Sequence, residues 1–164
     1  MKSITTFKSK VLFLILISNV FITKSQDINF NKAWKFYYNT AEGAENPSYI
    51  DTNWRKLDLP HDWAIEGPFD IKNNARTGGL LVDGTGWYRK HFTMQANAKG
   101  KVVRLEFEGA MYDAHVWVNG NFAGNRPYGY IGFEFDISKF LKYDGSDNVV
   151  AVRLSPKDLS SRWY

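Results

Sequence analysis

Val103-Arg104-Leu105-Glu106-Phe107-Glu108 alternates apolar and charged side chains, and Phe133-Glu134-Phe135-Asp136-Ile137 repeats the pattern. Successive side chains of an extended chain point to opposite faces, so each segment can bury its apolar half only as a strand with one dry and one wet face. Trp34–Tyr38, Trp87–Met94, Ala114–Val118 and Val149–Leu154 are similarly rich in β-branched and aromatic residues. Asn119-Gly120, between Val116-Trp117-Val118 and Phe122-Ala123, is a hairpin signal, because both central turn positions need a positive φ. Asn97–Gly100 and Asp144-Gly145-Ser146-Asp147 mark two further turns, and Ser138–Leu141 is the best helical window, one turn long. These elements predict an all-β, antiparallel β-sandwich or barrel. A length of 164 residues suits one domain, and 44% hydrophobic with 16% aromatic residues is enough to fill its core. Glu66–Gly86 breaks the rhythm as a long glycine-rich stretch, and loops of that length are usually functional.

The first 25 residues read differently. Lys2, Lys8 and Lys10 precede the apolar run Val11–Ile22, and small residues follow at Thr23-Lys24-Ser25. A basic start, an apolar stretch of about a dozen residues and a small-residue exit describe a secretory signal peptide, short of the ~20 residues of a spanning helix. The expected division is 1–25 signal peptide, cleaved near Ser25, and 26–164 mature domain, secreted or periplasmic, with no membrane association after cleavage. The signal also accounts for the basic charge. Residues 1–25 hold four of the 21 Lys and Arg and none of the 17 acids, so the formal +4 belongs to them and the remainder is neutral. With that, the case for a nucleic-acid partner falls away. The absence of cysteine excludes a disulfide scaffold, a thiolate metal site and a Cys nucleophile.

Catalytic patterns are scarce. No nucleophile elbow, paired-histidine zinc helix or phosphate-binding glycine loop is present. His61, His91 and His115 stand in different segments without metal-ligand spacing, so no metal site is assigned. Glu106 and Glu108 share a strand face about 7 Å apart. That is loosely glycosidase-like, but their alternation with Leu105 and Phe107 reads as an exposed polar face. His61-Asp62, neighbours on an extended chain after Pro60, point apart and suit a hydrogen-bonded corner better than a catalytic dyad. Trp63, Trp87, Tyr128, Tyr130, Trp163 and Tyr164 lie in loops near Asn, Asp and Arg. Aromatic faces stack on sugar C–H faces while polar groups take hydroxyls, so this mixture suits carbohydrate recognition, with ordinary core packing as the alternative.

Six ordered motifs then carry a resemblance. Asn31–Phe36, Leu59-Pro60-His61-Asp62-Trp63, Gly86-Trp87-Tyr88-Arg89-Lys90, Leu105–Gly109, Val116-Trp117-Val118-Asn119-Gly120 and Ser161-Arg162-Trp163-Tyr164 resemble the N-terminal sugar-binding domain of glycoside hydrolase family 2. The forms at 60–63 and 161–164 look most like the β-galactosidase branch. The resemblance implies a jelly-roll β-sandwich, galactose-binding-domain-like, truncated at its C-terminus. It also implies parent-enzyme domains missing from this chain: an immunoglobulin-like sandwich and a (β/α)₈ barrel that carries both catalytic glutamates of a retaining β-glycosidase. No catalytic residue is therefore assigned here, and the 164-residue chain alone is expected to be inactive.

By the same resemblance, this domain forms one wall of the site for a β-glycoside carbohydrate. Arg162, Trp163 and Tyr164 correspond to the place where well-known members set an acidic side chain against the terminal sugar. Arg162 can donate to hydroxyls but cannot coordinate the alkali-metal ion that some β-galactosidases hold there. Asn73, Asn74 and Arg76, in the long loop, are the second set of substrate-binding candidates. No cofactor is expected, and the family allows a cation and a homo-oligomer. The alternative is a stand-alone carbohydrate-binding or adhesion module without catalysis.

Overall fold

The computed structural model describes residues 26–68, 70 and 84–155. The expected signal peptide and all six substrate-binding candidates, Asn73, Asn74, Arg76, Arg162, Trp163 and Tyr164, lie outside the described residues. Among the described residues eight strands form two antiparallel sheets: β1 (Trp34–Tyr38), β2 (Arg55–Leu57), β3 (Gly86–Thr93), β4 (Arg104–Phe107), β5 (Ala114–Val118), β6 (Asn121–Arg126), β7 (Phe133–Asp136) and β8 (Asp147–Leu154). The larger sheet runs β2-β1-β3-β8-β5-β6, and β4 pairs with β7 in the smaller one. Among the described residues no helix is long and apolar enough to cross a membrane.

The period-two segments become the two-stranded sheet. Leu105 pairs with Phe135 and Phe107 with Phe133, inward-facing, while Glu106 pairs with Glu134 on the wet face. Across from them the larger sheet contributes Trp34, Phe36, Tyr88, Val116, Val118, Val150, Val152 and Leu154 to one core. Asn119 (φ 50°) and Gly120 (φ 79°) make the β5–β6 turn with the positive angles expected of them. Asn119 has a second role. Its side chain donates to the Phe140 carbonyl (2.8 Å) and Asn148 Oδ1 (2.7 Å) and accepts from the Val149 amide (2.9 Å), tying the hairpin to β8.

β8 and the first half of β3 (residues 86–89) are buried on both faces, which is why Val149–Leu154 reads as a nearly unbroken apolar run. Their second face is covered by residues 39–54, whose Ala41, Ala44 and Trp54 pack on Trp87 and Ala151. An ion cluster beneath fixes this cover. Asp51 accepts from Arg89 Nε (2.8 Å) and Lys35 Nζ (2.5 Å), and lies 3.0 Å from His91 Nε2. Arg89, fully buried, also donates to the carbonyls of Ala44 and Asn46. Burial pushes the Asp51 carboxyl up, but the hydrogen bonds from Lys35, Arg89 and His91 outweigh it and hold the group well below the usual carboxylate range.

Candidate functional site

The antiparallel pairing brings one end of β1, β3, β8, β5 and β6 to a common rim. Gly86, the first residue of β3, is the register partner of Leu154, the last of β8, and Tyr38 pairs with Gly86 from the other side. His115 pairs with Arg153, and Ala114 with Arg126, so β5 begins and β6 ends at the same rim. The chain therefore enters β3 beside the point where it leaves β8, and the Thr85 and Ser155 hydroxyls sit 3.2 Å apart. Asn73, Asn74 and Arg76 lie upstream of the first point and Arg162, Trp163 and Tyr164 downstream of the second, so both candidate segments are tethered to one rim. Arg162 lies seven residues past Ser155, within roughly 25 Å of chain.

Beneath the rim is an aromatic footing. Asp62 caps a 3₁₀ turn at Trp63–Ile65 by accepting from the Ala64 amide (2.9 Å), and Trp63 lies against Phe36 and Tyr88. Gly86 permits this: a Cβ there would sit 2.8 Å from Trp63 Cζ3. His61 Nδ1 shares a 2.8 Å hydrogen bond with the Tyr88 hydroxyl, and its Nε2 is 3.3 Å from Glu66 Oε1. Glu66 accepts from Arg55 Nη1 and Nη2, at 2.5 and 2.8 Å, and this pairing pulls its carboxyl down to about 2. Burial raises the Tyr88 phenol above its ordinary value. His61 and Asp62 thus serve separate partners, as a corner and not a dyad.

The loop aromatics divide. Trp63 and Trp87 are buried, at 7% and 5% exposure, and Trp87 belongs to β3 and stacks on Trp117, so neither presents a face to a sugar. Tyr128 and Tyr130 are exposed in the β6–β7 loop at the rim. Glu106 and Glu108 are exposed on the smaller sheet side, around an open hollow with Phe107, Gly132, Phe133 and Glu134. No group of three or more His, Asp or Glu side chains that could hold a metal ion occurs among the described residues. The sequence held no signal for the Asp51 cluster, whose other members lie 16 to 40 positions from Asp51.

Two antiparallel β-sheets packed face to face, with five strands of the larger one sharing an end at the Gly86–Leu154 rim, make this an all-β sandwich domain. Residues 27–161 match the family model described as glycosyl hydrolases family 2, sugar binding domain, and the chain belongs to that family. It is 43% identical over 149 residues to a beta-galactosidase of Bacteroides ovatus, covering 90% of this chain and 17% of that protein. To a putative beta-glucuronidase of Formosa agariphila it is 38% identical, covering 93% and 15%. The crystal structure of a beta-glycosidase from Bacteroides vulgatus superposes with a TM-score of 0.76 at 42% identity, covering 84% of this chain and 18% of that one. The chain thus spans under a fifth of these relatives, corresponds to their sugar-binding domain, and has its jelly-roll β-sandwich architecture.

Proposed function

We propose that this domain forms one wall of the substrate site in a secreted or periplasmic, retaining family 2 glycoside hydrolase of β-galactosidase type. The catalytic carboxylates would come from the barrel outside residues 26–164. The observation that carries the reading is the pairing of Gly86 with Leu154. It tethers the segment bearing Asn73, Asn74 and Arg76 and the segment bearing Arg162, Trp163 and Tyr164 to neighbouring strands at one rim. In this role the domain does positioning and not bond chemistry. Trp163 and Tyr164 offer ring faces to the sugar's C–H surface, and Arg162, Asn73, Asn74 and Arg76 offer donors to its hydroxyls. A retaining enzyme cleaves through a glycosyl-enzyme intermediate formed on one carboxylate while a second acts as acid and then base. Held substrate geometry lowers that barrier without any group here touching the reacting bond. The 43% identity to a beta-galactosidase supports the galactoside preference.

The test compares the 164-residue chain with the product of the complete reading frame that contains it. The chain alone is expected to leave an aryl β-galactoside intact, while the longer product hydrolyses it with retention. Trp163→Ala in the longer product is expected to raise KM about tenfold or more, a stacking loss of about 1.4 kcal/mol. Turnover by the short chain, abolished by a substitution within residues 26–164, would place the chemistry here and overturn the reading. A stop codon after Tyr164, with glycan binding intact, would favour the stand-alone module.

A further inference from the structure

Both ring nitrogens of His91 face carboxylates, at the end of the β3–β8 ladder away from the Gly86–Leu154 rim. Nε2 lies 3.0 Å from Asp51 Oδ2, and Nδ1 lies 2.6 Å from Asp147 Oδ2. An ionised carboxylate only accepts hydrogen bonds, and a neutral imidazole has a single N–H to give. The neutral ring can therefore satisfy one of these contacts and turns a lone pair toward the other. His61 and His115 stand differently. Nδ1 of His61 meets the Tyr88 hydroxyl, and Nδ1 of His115 meets Arg153 Nη2 at 3.1 Å, so each ring has a neighbour able to donate to it.

The surroundings decide which contact needs the second proton. The charged groups around the ring are Asp51 from the 39–54 cover, Asp147 from β8, Arg89 on β3, Lys35 from β1, and Lys142, whose Nζ donates to the Asp147 carbonyl at 3.1 Å. Lys35 and Arg89 hold the Asp51 carboxyl ionised, and its side chain is only 5% exposed. The Asp147 side chain, 55% exposed, can turn to water. A ring with one proton therefore keeps it on Nε2, where the buried acceptor has no alternative. The proton on Nδ1 serves Asp147. We propose that the His91–Asp147 contact is a proton-operated tie: with Nδ1 protonated it fastens the start of β8 to β3, and loss of that proton releases Asp147 while Asp51 keeps its bond from Nε2.

The tie exists in the folded protein and not in the unfolded chain, which fixes the sign. Its contribution is complete where the imidazole is charged in both states, below the ordinary histidine value of about 6.5, and is lost as pH rises through loss of the folded ring's proton. What it fastens is local. Asp147 pairs with Thr93 at the last rung of the ladder, and the Gly145 amide donates to the Met94 carbonyl at 3.1 Å, so residues 142–148 are the stretch that loosens. The inference stands independently of the sugar-site reading.

Hydrogen–deuterium exchange on the product of the complete reading frame, at pH values of about 5.5 and 8.5 on either side of the histidine range and corrected for intrinsic exchange, tests it. Peptides covering 142–148 are expected to lose about threefold of their protection at the higher pH, the scale of a partly exposed ion pair. Those covering 39–54 and 114–118 are expected to keep theirs. Asp147→Asn, whose amide can meet the ring in either form, and His91→Gln, which has no titrating ring, should each show the same protection of 142–148 at both pH values. Unchanged protection of this stretch in the unmodified protein overturns the proposal without recourse to a variant. A loss that persists in either variant assigns it to another group and also overturns it. Loosening of 39–54 together with 142–148 would show that the proton leaves Nε2, and the Asp147 tie would be refuted.

Discussion

Replacing Asp51 by Asn keeps the size of the side chain and removes the carboxylate that pairs with buried Arg89. Arg89 is fully buried and Asp51 only 5% exposed on its side chain, at 2.8 Å. Two unit charges about 4 Å apart interact by about 4 kcal/mol at an effective dielectric near 20, and breaking a buried pair by removing one member costs about 3–5 kcal/mol. For a domain of this size that corresponds to a fall in Tm of roughly 10–20 °C, read by circular dichroism. The cost arises from the charge left unpaired, so the double variant Asp51→Asn, Arg89→Met should be less destabilised than the sum of the singles by at least about 1.5 kcal/mol. Acidification adds a check. Because the folded Asp51 carboxyl lies below its unfolded value of about 3.9, its contribution is full above that value and lost as pH falls through the folded one. The gap in Tm between wild type and Asp51→Asn should therefore be constant from neutral pH to about 5 and narrow below about 4. A loss of under about 3 °C, or strictly additive singles, refutes the assignment of Asp51 as the pin of the 39–54 cover.

Three further variants probe other parts of the frame. Gly86→Ala puts a Cβ into the Trp63 ring, an overpacking cost of about 1–3 kcal/mol, measured by urea denaturation; an unchanged midpoint would show that Trp63 moves freely. Asn119→Ala removes the hydrogen bonds to Phe140, Asn148 and Val149 and should cost about 2–3 kcal/mol, with the hairpin amides losing exchange protection first. Glu106→Lys replaces a like-charge cross-strand pair with Glu134 by an attractive one. It should leave the chain as stable or gain a few tenths of a kcal/mol, and leave hydrolysis by the longer protein intact; lost turnover would reopen the Glu106–Glu108 pair as chemistry.

What was legible in the sequence follows from how local each cause is. Arg104–Phe107 and Phe133–Asp136 announce themselves because one face is wet and alternation survives. Asn119-Gly120 is legible because positive φ restricts the residues that fit. Arg55–Leu57 is only three residues long, two of them basic, so it becomes a strand by pairing with β1 and not by propensity. Residues 39–54 carry no periodicity, and their role as a cover depends on Asp51 finding Arg89, a contact 38 positions away that no short-range pattern encodes. Of the loop aromatics, Trp63 and Trp87 turned out to be packing, because ring size alone does not distinguish a core from a platform. The substrate-binding candidates came from family resemblance, and the described residues supply their tethers.

The Gly86–Leu154 register also has a consequence for how such a domain diversifies. Hydrogen bonding between two central strands fixes the separation of the two tethers whatever sequence is strung beyond them. Changes of length in the chain before Gly86 or after Leu154 therefore leave the spacing of those two points unaltered, because the ladder sets it. For engineering, the same two positions are natural splice points for exchanging flanking segments between members of the family.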